Sequence, residues 1–198
     1  MALAVVFDFG YTLVNEDRVW KEIAARHGWP DSVFFATLGA VIERRGRHRD
    51  VFEILGTGAA DGVKGIPFES RDFYEDALPC LRAAKSDGRL VGIAGNFSGE
   101  IEGFLAEHVE VDFIASSERW GVEKPTPDFF ARIVSEAGCA PSEVSYVGDR
   151  VDNDVVPAAN AGLTAIFLVR GPWAAIQKDW PEAVAASVRL DDLGSVPL

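Results

Sequence analysis

Short apolar runs recur along the chain at residues 3–7, 90–94, 111–115, 144–147 and 164–169, and segments with helical spacing separate most of them. Runs of this length suit strands that are covered on both faces. Their alternation with helices predicts an α/β fold, a doubly wound parallel sheet of the Rossmann-like kind. The first gap breaks the rhythm, because the chain between the first two runs is far longer than a crossover helix requires. Helical periodicity over residues 18–27, 32–45 and 50–55 fills it. We therefore expect residues 1–14 and 77–198 to form the α/β core and residues 15–76 to form a small helical cap domain inserted after the first strand. A helix over 76–87, ending at Gly88, returns the chain to the sheet. An insert of that length at the carboxyl edge of a sheet can serve as a lid, the plainer alternative being a layer that extends the core. After Gly171 and Pro172 an amphipathic stretch over 173–186 and a short apolar piece at 188–190 complete the chain, the latter able to pair at a sheet edge.

At 198 residues, with 48% hydrophobic and 25% charged residues, the chain can bury one core, or one core and a small lobe. Its apolar stretches fall far short of the roughly 20 residues that a membrane span needs. The amino terminus enters a strand without a basic segment or cleavage site. A soluble, cytoplasmic protein is expected, with no membrane partner. Cys80 and Cys139 lack metal-ligand spacing and are read as reduced structural thiols, a single disulfide between them being the alternative. The net charge of −12 argues against a nucleic-acid partner, so any site for an anion must be built locally.

The first apolar run ends in Asp8, a carboxylate at the mouth of a buried strand, which packing alone does not favour. The run at 144–147 likewise releases Asp149, Asp152 and Asp154 at its end. Parallel strands would bring Asp8 and Asp149 to one rim, where two carboxylates repel unless a proton or a cation intervenes. Hard oxygen donors with few other protein contacts suit Mg²⁺. Capping of the following helix by Asp152 or Asn153 accounts for one acid of the three. Lys124 stands just before a helix whose start is set by Pro125 and Pro127. Alone it reads as a surface charge.

Together these segments resemble the haloacid dehalogenase (HAD) superfamily of hydrolases, chiefly phosphatases, over nearly the whole chain. Asp-Phe-Gly-Tyr-Thr-Leu at 8–13 is similar to the family's nucleophile loop, and Ile-Ala-Gly-Asn at 93–96 stands where its second motif ends a strand. Lys124-Pro125 corresponds to the third motif, Gly-Asp-x-x-x-x-Asp at 148–154 to the fourth, and the insert to the C1 cap. The resemblance implies that Asp8 attacks phosphorus and forms an aspartyl-phosphate, with Lys124 neutralising charge. It implies a Mg²⁺ held by Asp8, the Gly10 carbonyl and Asp149, with Asp154 supporting. Thr12 and the backbone N–H groups near Phe9, Gly10, Gly95 and Asn96 would hold the oxygens of a small phosphorylated substrate.

Two positions depart from the family pattern. Family phosphatases usually carry a second Asp two residues after the nucleophile, where it protonates the leaving oxygen; here the residue is Gly10. The second motif normally presents Ser or Thr; here it is Gly95, with Ser98 three residues on as a substitute. The missing acid predicts a preference for activated esters, anomeric phosphates or acyl phosphates over alkyl phosphates, or an acid recruited from elsewhere. It also predicts that Gly10→Asp raises alkyl-ester activity if the loop accepts the side chain. The rival readings are a degenerate phosphate- or partner-binding protein that lost turnover, and a metal-free haloacid dehalogenase. Dehalogenation ranks well behind, because that branch typically places Tyr two residues after the nucleophile and Tyr11 lies three after. In the insert, Arg44, Arg45, Arg47, His48 and Arg49 read as a helix end and solvated charges rather than as a substrate anchor. Trp20, Trp29, Phe34, Phe35, Phe52, Phe73 and Tyr74 read as packing of the insert rather than stacking on a ligand, a partly exposed subset lining the pocket being the alternative, and Trp120 and Trp173 as cover for a pocket rim or a dimer contact.

Overall fold

A computed structural model describes residues 3–57 and 65–197. Residues 1, 2 and 198 of the expected core and 58–64 of the expected insert lie outside the described residues.

Six parallel strands form one sheet: β1 (Ala4–Phe7), β2 (Leu90–Gly95), β3 (Phe113–Ser116), β4 (Val144–Gly148), β5 (Thr164–Leu168) and β6 (Val188–Leu190). Their order is β3-β2-β1-β4-β5-β6. Phe7 is in register with Ile93 of β2 and Val147 of β4, so Asp8 leaves the central strand level with its neighbours' carboxyl ends. That is the crevice where the strand order reverses and where open α/β sheets take ligands. Both faces are covered, so each strand reads as an apolar run and successive residues serve opposite cores. Val5 and Phe7 pack with Val91 and Ile93 under helix α4 (Ala77–Ser86) and helix α5 (Gly99–His108). Ala4 and Val6 pack with Tyr146 and Phe167 under α7 (Pro127–Ala137) and α8 (Val156–Asn160). A single turn, α6 (Ser117–Trp120), follows β3, and α9 (Gly171–Gln177) follows β5.

Between β1 and α4 lie α1 (Asp17–Arg26), α2 (Asp31–Glu43) and α3 (Asp50–Ile54). Val19, Trp20, Ile23 and Ala24 of α1 and Phe34, Leu38, Val41 and Ile42 of α2 recur at helical spacing and meet in a cluster of their own. The segment enters and leaves through a narrow neck, where Asn15 N–H donates to Asp72 O at 2.7 Å and Tyr74 N–H to Leu13 O at 3.0 Å. Arg18 closes it with two bonds to the buried Asp72 carboxylate, at 2.9 and 2.5 Å. The insert is not free of the sheet: α2 packs on α9, and Arg45 pairs with Glu182 at 2.9 Å and stacks on Trp180.

Several expectations shift. Phe73 and Tyr74 belong to the sheet side, Phe73 stacking on Phe104 and Tyr74 lying under the Arg170 guanidinium. Trp120 packs edge-on to Phe129 beneath the sheet, not at a pocket rim. The third strand begins at Phe113, because Asp112 turns its carboxylate back to accept the Val91 N–H at 2.7 Å. Of the amphipathic stretch over 173–186, the first part lies in α9, which starts at Gly171 and stops before Pro181, the proline that forces Trp180 into extended backbone. The helix after β4 is not capped by Asp152 or Asn153; it opens as a π-helical turn, Val151–Val155. Both cysteines are free thiols, and among the described residues no helix is long and apolar enough to cross a membrane.

Asp76 joins three distant segments. Its carboxylate accepts both Arg170 Nη1 at 3.0 Å and Nη2, and also the Leu193 N–H at 3.0 Å. Partial burial works against its charge, but Arg170 and Leu193 outweigh it and hold the carboxyl below the ordinary aspartate range. Asp76→Asn is expected to lower the unfolding free energy at pH 7 by about 1–3 kcal/mol. A depressed folded pKa stabilises above the unfolded value of about 3.9 and loses that contribution as pH falls through the folded value. Urea unfolding of both proteins at neutral and acid pH checks the sign, with the difference shrinking in acid.

Candidate active site

The carboxyl ends of β1, β2 and β4 and the loop before α7 converge on one small volume. Asp8 extends β1 by one bond, its N–H donating to Val147 O at 2.8 Å. The chain then coils tightly: Phe9 O accepts the N–H groups of Thr12, Leu13 and Val14 at 3.3, 2.9 and 3.2 Å, with Tyr11 in the left-handed region at φ 48°. This coil buries Thr12 completely, and its hydroxyl finds no partner. Tyr11 turns its hydroxyl to Asp17 at 2.9 Å.

Lys124 supplies the buried cation. Its Nζ stands 2.7 Å from Asp8 Oδ1 and 2.6 Å from Asp154 Oδ1, and the ring of Tyr146 lies beneath it. Asn96 holds the Lys124 backbone on both sides, its Oδ1 accepting the Lys124 N–H at 2.8 Å and its Nδ2 donating to the Lys124 carbonyl at 2.9 Å. The Asn96 side chain thus places the lysine. Asp154 Oδ2 accepts the Arg150 N–H at 2.9 Å, so this acid is engaged through both oxygens. Asp149 is different: it is buried, and its Oδ2 has no partner.

Burial penalises the Lys124 charge, yet Asp154 and Asp8 together hold its pKa well above the ordinary lysine value. Burial, with the charges of Asp154 and Asp8, pushes Asp149 well above the ordinary aspartate value. Asp154 is raised by burial and partly restored by Lys124. Three carboxylates facing one ammonium leave an excess of negative charge in a closed space. Oxygens of Asp8, Asp149 and Asp154 lie within 4.8 Å of one another. The unpartnered Asp149 oxygen beside Asp8 is a hard-oxygen donor set, so a divalent cation fits these residues.

Both glycines that depart from the expected pattern stand where an added Cβ would meet a carboxylate. A Cβ on Gly95 would sit 2.4 Å from Asp8 Oδ1 and 2.9 Å from the Phe97 ring. A Cβ on Gly10 would sit 2.6 Å from Oε1 and 2.7 Å from Cδ of Glu16. Glu16 therefore brings a carboxylate to the loop after β1 that the motif spacing did not reveal. Burial, reinforced by Asp8, pushes it up to about 7, although the Trp20 indole N–H, 3.3 Å away, works in the other direction. The signal available was an acid at the start of the first helix, a few residues beyond a loop that lacked one. Ser98 precedes α5 as its N-terminal cap residue. Asp152 pairs with Arg150 at 2.8 Å and accepts from Gln177, while the Arg150 guanidinium lies 3.5 Å over the Trp173 ring. Trp173 packs in the cluster of the inserted helices, so it bridges the insert and the β4 loop. In the basic stretch of the insert, Arg47 pairs with Asp50 and Arg45 with Glu182.

The chain is 40% identical over 104 residues to a glyceraldehyde 3-phosphate phosphatase of Methanopyrus kandleri, a match covering 50% of this chain and 45% of that protein. It is 26% identical over 202 residues to the glyceraldehyde 3-phosphate phosphatase of Methanothermobacter thermautotrophicus, covering 98% of this chain and 87% of that one. Matches to the first two curated relatives span less than half of their length. The solved L-2-haloacid dehalogenase of Xanthobacter autotrophicus with chloropropionic acid covalently bound superimposes with a TM-score of 0.70, at 18% identity, over 98% of this chain and 96% of that one. That likeness shows the fold, which does not choose between attack on phosphorus and on carbon. The family model for haloacid dehalogenase-like hydrolases matches residues 3–162, a span that contains every residue of the buried cluster, and the chain belongs to that family.

Proposed function

We propose that this hydrolase is a magnesium-dependent phosphatase of small phosphorylated metabolites, working through an aspartyl-phosphate on Asp8 beneath a cap formed by residues 15–76. The observation that carries the reading is the buried Lys124 ammonium between Asp8 and Asp154, beside the unpartnered Asp149 oxygen. The names of the phosphatase relatives support a phosphate ester and make glyceraldehyde 3-phosphate the first compound to try. Two free thiols agree with a cytoplasmic setting.

The Asp8 carboxylate attacks phosphorus in line as the bond to the leaving oxygen breaks. Lys124 screens the approach of one anion to another and holds the attacking carboxylate in place. The buried Thr12 hydroxyl donates to a phosphate oxygen, joined by backbone N–H groups near Phe9, Gly10, Gly95 and Asn96. Asp8, Asp149 and the Gly10 carbonyl would hold Mg²⁺, which when bound offsets negative charge on the transferring group. Water then attacks the phosphoryl group, releases phosphate and restores Asp8.

A panel of phosphorylated metabolites, with Asp8→Asn supplying the background rate, tests the reading. Hydrolysis of none above that background, together with no binding of beryllofluoride and Mg²⁺, would leave a binding module in its place. EDTA is expected to abolish phosphate release and Mg²⁺ to restore it; halide release from a haloacid that persists in EDTA favours dehalogenation. At about a hundredfold excess over Kd, Mg²⁺ should stabilise the wild type by roughly 2.7 kcal/mol and Asp149→Asn by far less, read as a shift in thermal unfolding.

A further inference from the structure

We propose that the Glu16 carboxylate, delivered from the start of α1 into the space above Gly10, is the group that exchanges a proton with the leaving oxygen and with the attacking water. The proposal deepens the phosphatase reading and rests on it.

The geometry is specific. An ideal Cβ on Gly10 would fall 2.6, 2.7 and 3.0 Å from Oε1, Cδ and Oε2 of Glu16. The acid therefore occupies the volume into which a side chain two residues after Asp8 would project. The absence of a side chain at position 10 and the presence of a carboxylate from position 16 are two halves of one arrangement.

Glu16 has a slight structural role. It stands at the N-terminal cap position of α1, yet its side chain makes no capping bond to that helix. Among the described residues it forms no ion pair, and its side-chain hydrogen bond is the long one from Trp20 Nε1, at 3.3 Å to Oε2. A carboxylate that packs against a loop holding another carboxylate costs stability when ionised, an effect the Arg150 charge offsets only in part, and a role in the reaction accounts for keeping it there. Its backbone is well anchored: Asn15 N–H bonds to Asp72 O at 2.7 Å, and Asn15 Oδ1 accepts the Asp17 N–H at 2.8 Å. Tyr11 holds Asp17 from the other side at 2.9 Å. The neck between insert and sheet thus aims the acid at the nucleophile loop.

The chemistry balances in two steps. As Asp8 bonds to phosphorus and the ester P–O bond breaks, protonated Glu16 gives its proton to the departing oxygen, which leaves as an alcohol. The Glu16 carboxylate then takes a proton from the water that attacks phosphorus. The Asp8–phosphorus bond breaks, inorganic phosphate leaves, and both acids return to their starting forms. With this acid in place, alkyl phosphates become substrates in spite of Gly10, which is the recruited-acid alternative to a preference for activated esters.

The test compares wild type and Glu16→Gln on p-nitrophenyl phosphate, whose leaving group needs little protonation, and on glycerol 3-phosphate, whose alkoxide does. Glu16→Gln should lower glycerol 3-phosphate turnover by about 10²–10⁴-fold. On p-nitrophenyl phosphate it should release a burst of nitrophenol with acid-quenched aspartyl-phosphate accumulating, because the first step survives and the second slows. Equal losses on both substrates without a burst, or no loss on either, overturn the role. Gly10→Asp alone sets two carboxylates in one volume and should not gain activity, whereas Gly10→Asp with Glu16→Ala should recover alkyl-ester turnover relative to Glu16→Ala. No recovery in a folded double variant also counts against the shared volume. If the wild type hydrolyses neither ester and refuses beryllofluoride, the phosphatase reading has failed and this role falls with it. Wild-type turnover that Glu16→Gln leaves unchanged removes only Glu16.

Discussion

Asp8→Asn is expected to lower turnover by on the order of 10⁴-fold or more while the protein still folds. The amide is nearly isosteric, and its oxygen can accept from Lys124 where Asp8 Oδ1 now stands, 2.7 Å away. The Lys124 ammonium also keeps its bond to Asp154 at 2.6 Å, so no buried cation is stranded. What disappears is the proposed nucleophile. Beryllofluoride binding should vanish with activity, while circular dichroism and the unfolding midpoint in the absence of metal stay close to wild type. A variant with residual turnover near the wild-type rate would show that Asp8 does not attack phosphorus. A variant that is inactive because it unfolds would show instead that Asp8 is needed mainly as a partner for Lys124.

Gly95→Ser is expected to reduce activity, although it restores the residue type that family members carry at this point. The added Cβ would lie 2.4 Å from Asp8 Oδ1, and the Phe97 ring at 2.9 Å blocks the other side. Asp8 has to swing away, which changes its alignment with phosphorus and its distance to Lys124. Misplacing a reacting atom by about 1 Å can cost on the order of 10²-fold, and a loss of at least that size is predicted. Gly95→Ala should lose as much, because the obstruction is at the Cβ and not at the hydroxyl. Measuring kcat and KM for both variants on one ester decides it. A Gly95→Ser enzyme as active as wild type would mean that the Asp8 side chain readily takes another position, and the steric account of Gly95 would be abandoned.

Much of the site was legible because its chemistry contradicts its surroundings. Asp8 and Asp149 end apolar runs that have no packing use for a charge, and strand register then brings them together. Lys124 was legible only through its company, since nothing in the residues around it distinguishes it from a surface lysine. Gly10 and Gly95 were visible as departures, but their reason was not. It lies in side-chain contacts with Glu16 and Asp8 that only the folded chain shows. The aromatics divide in the same way. Trp20, Phe34 and Phe52 recur on helical faces and pack the insert as expected. Phe73 and Trp120 sit in irregular or very short segments where periodicity carries no direction, and both pack against the sheet side.

The amino-acid sequence by itself determined the parallel sheet, the helical insert after the first strand, and the acids gathered at the carboxyl edge. Each of these follows from local spacing, where apolar period and chain order leave few alternatives. Only the tertiary structure decided that Asn96 places Lys124, that Arg150 stacks on Trp173, and that Glu16 fills the space over Gly10. These are contacts between segments whose side-chain directions depend on the packing of whole elements, and a one-dimensional pattern holds no record of them.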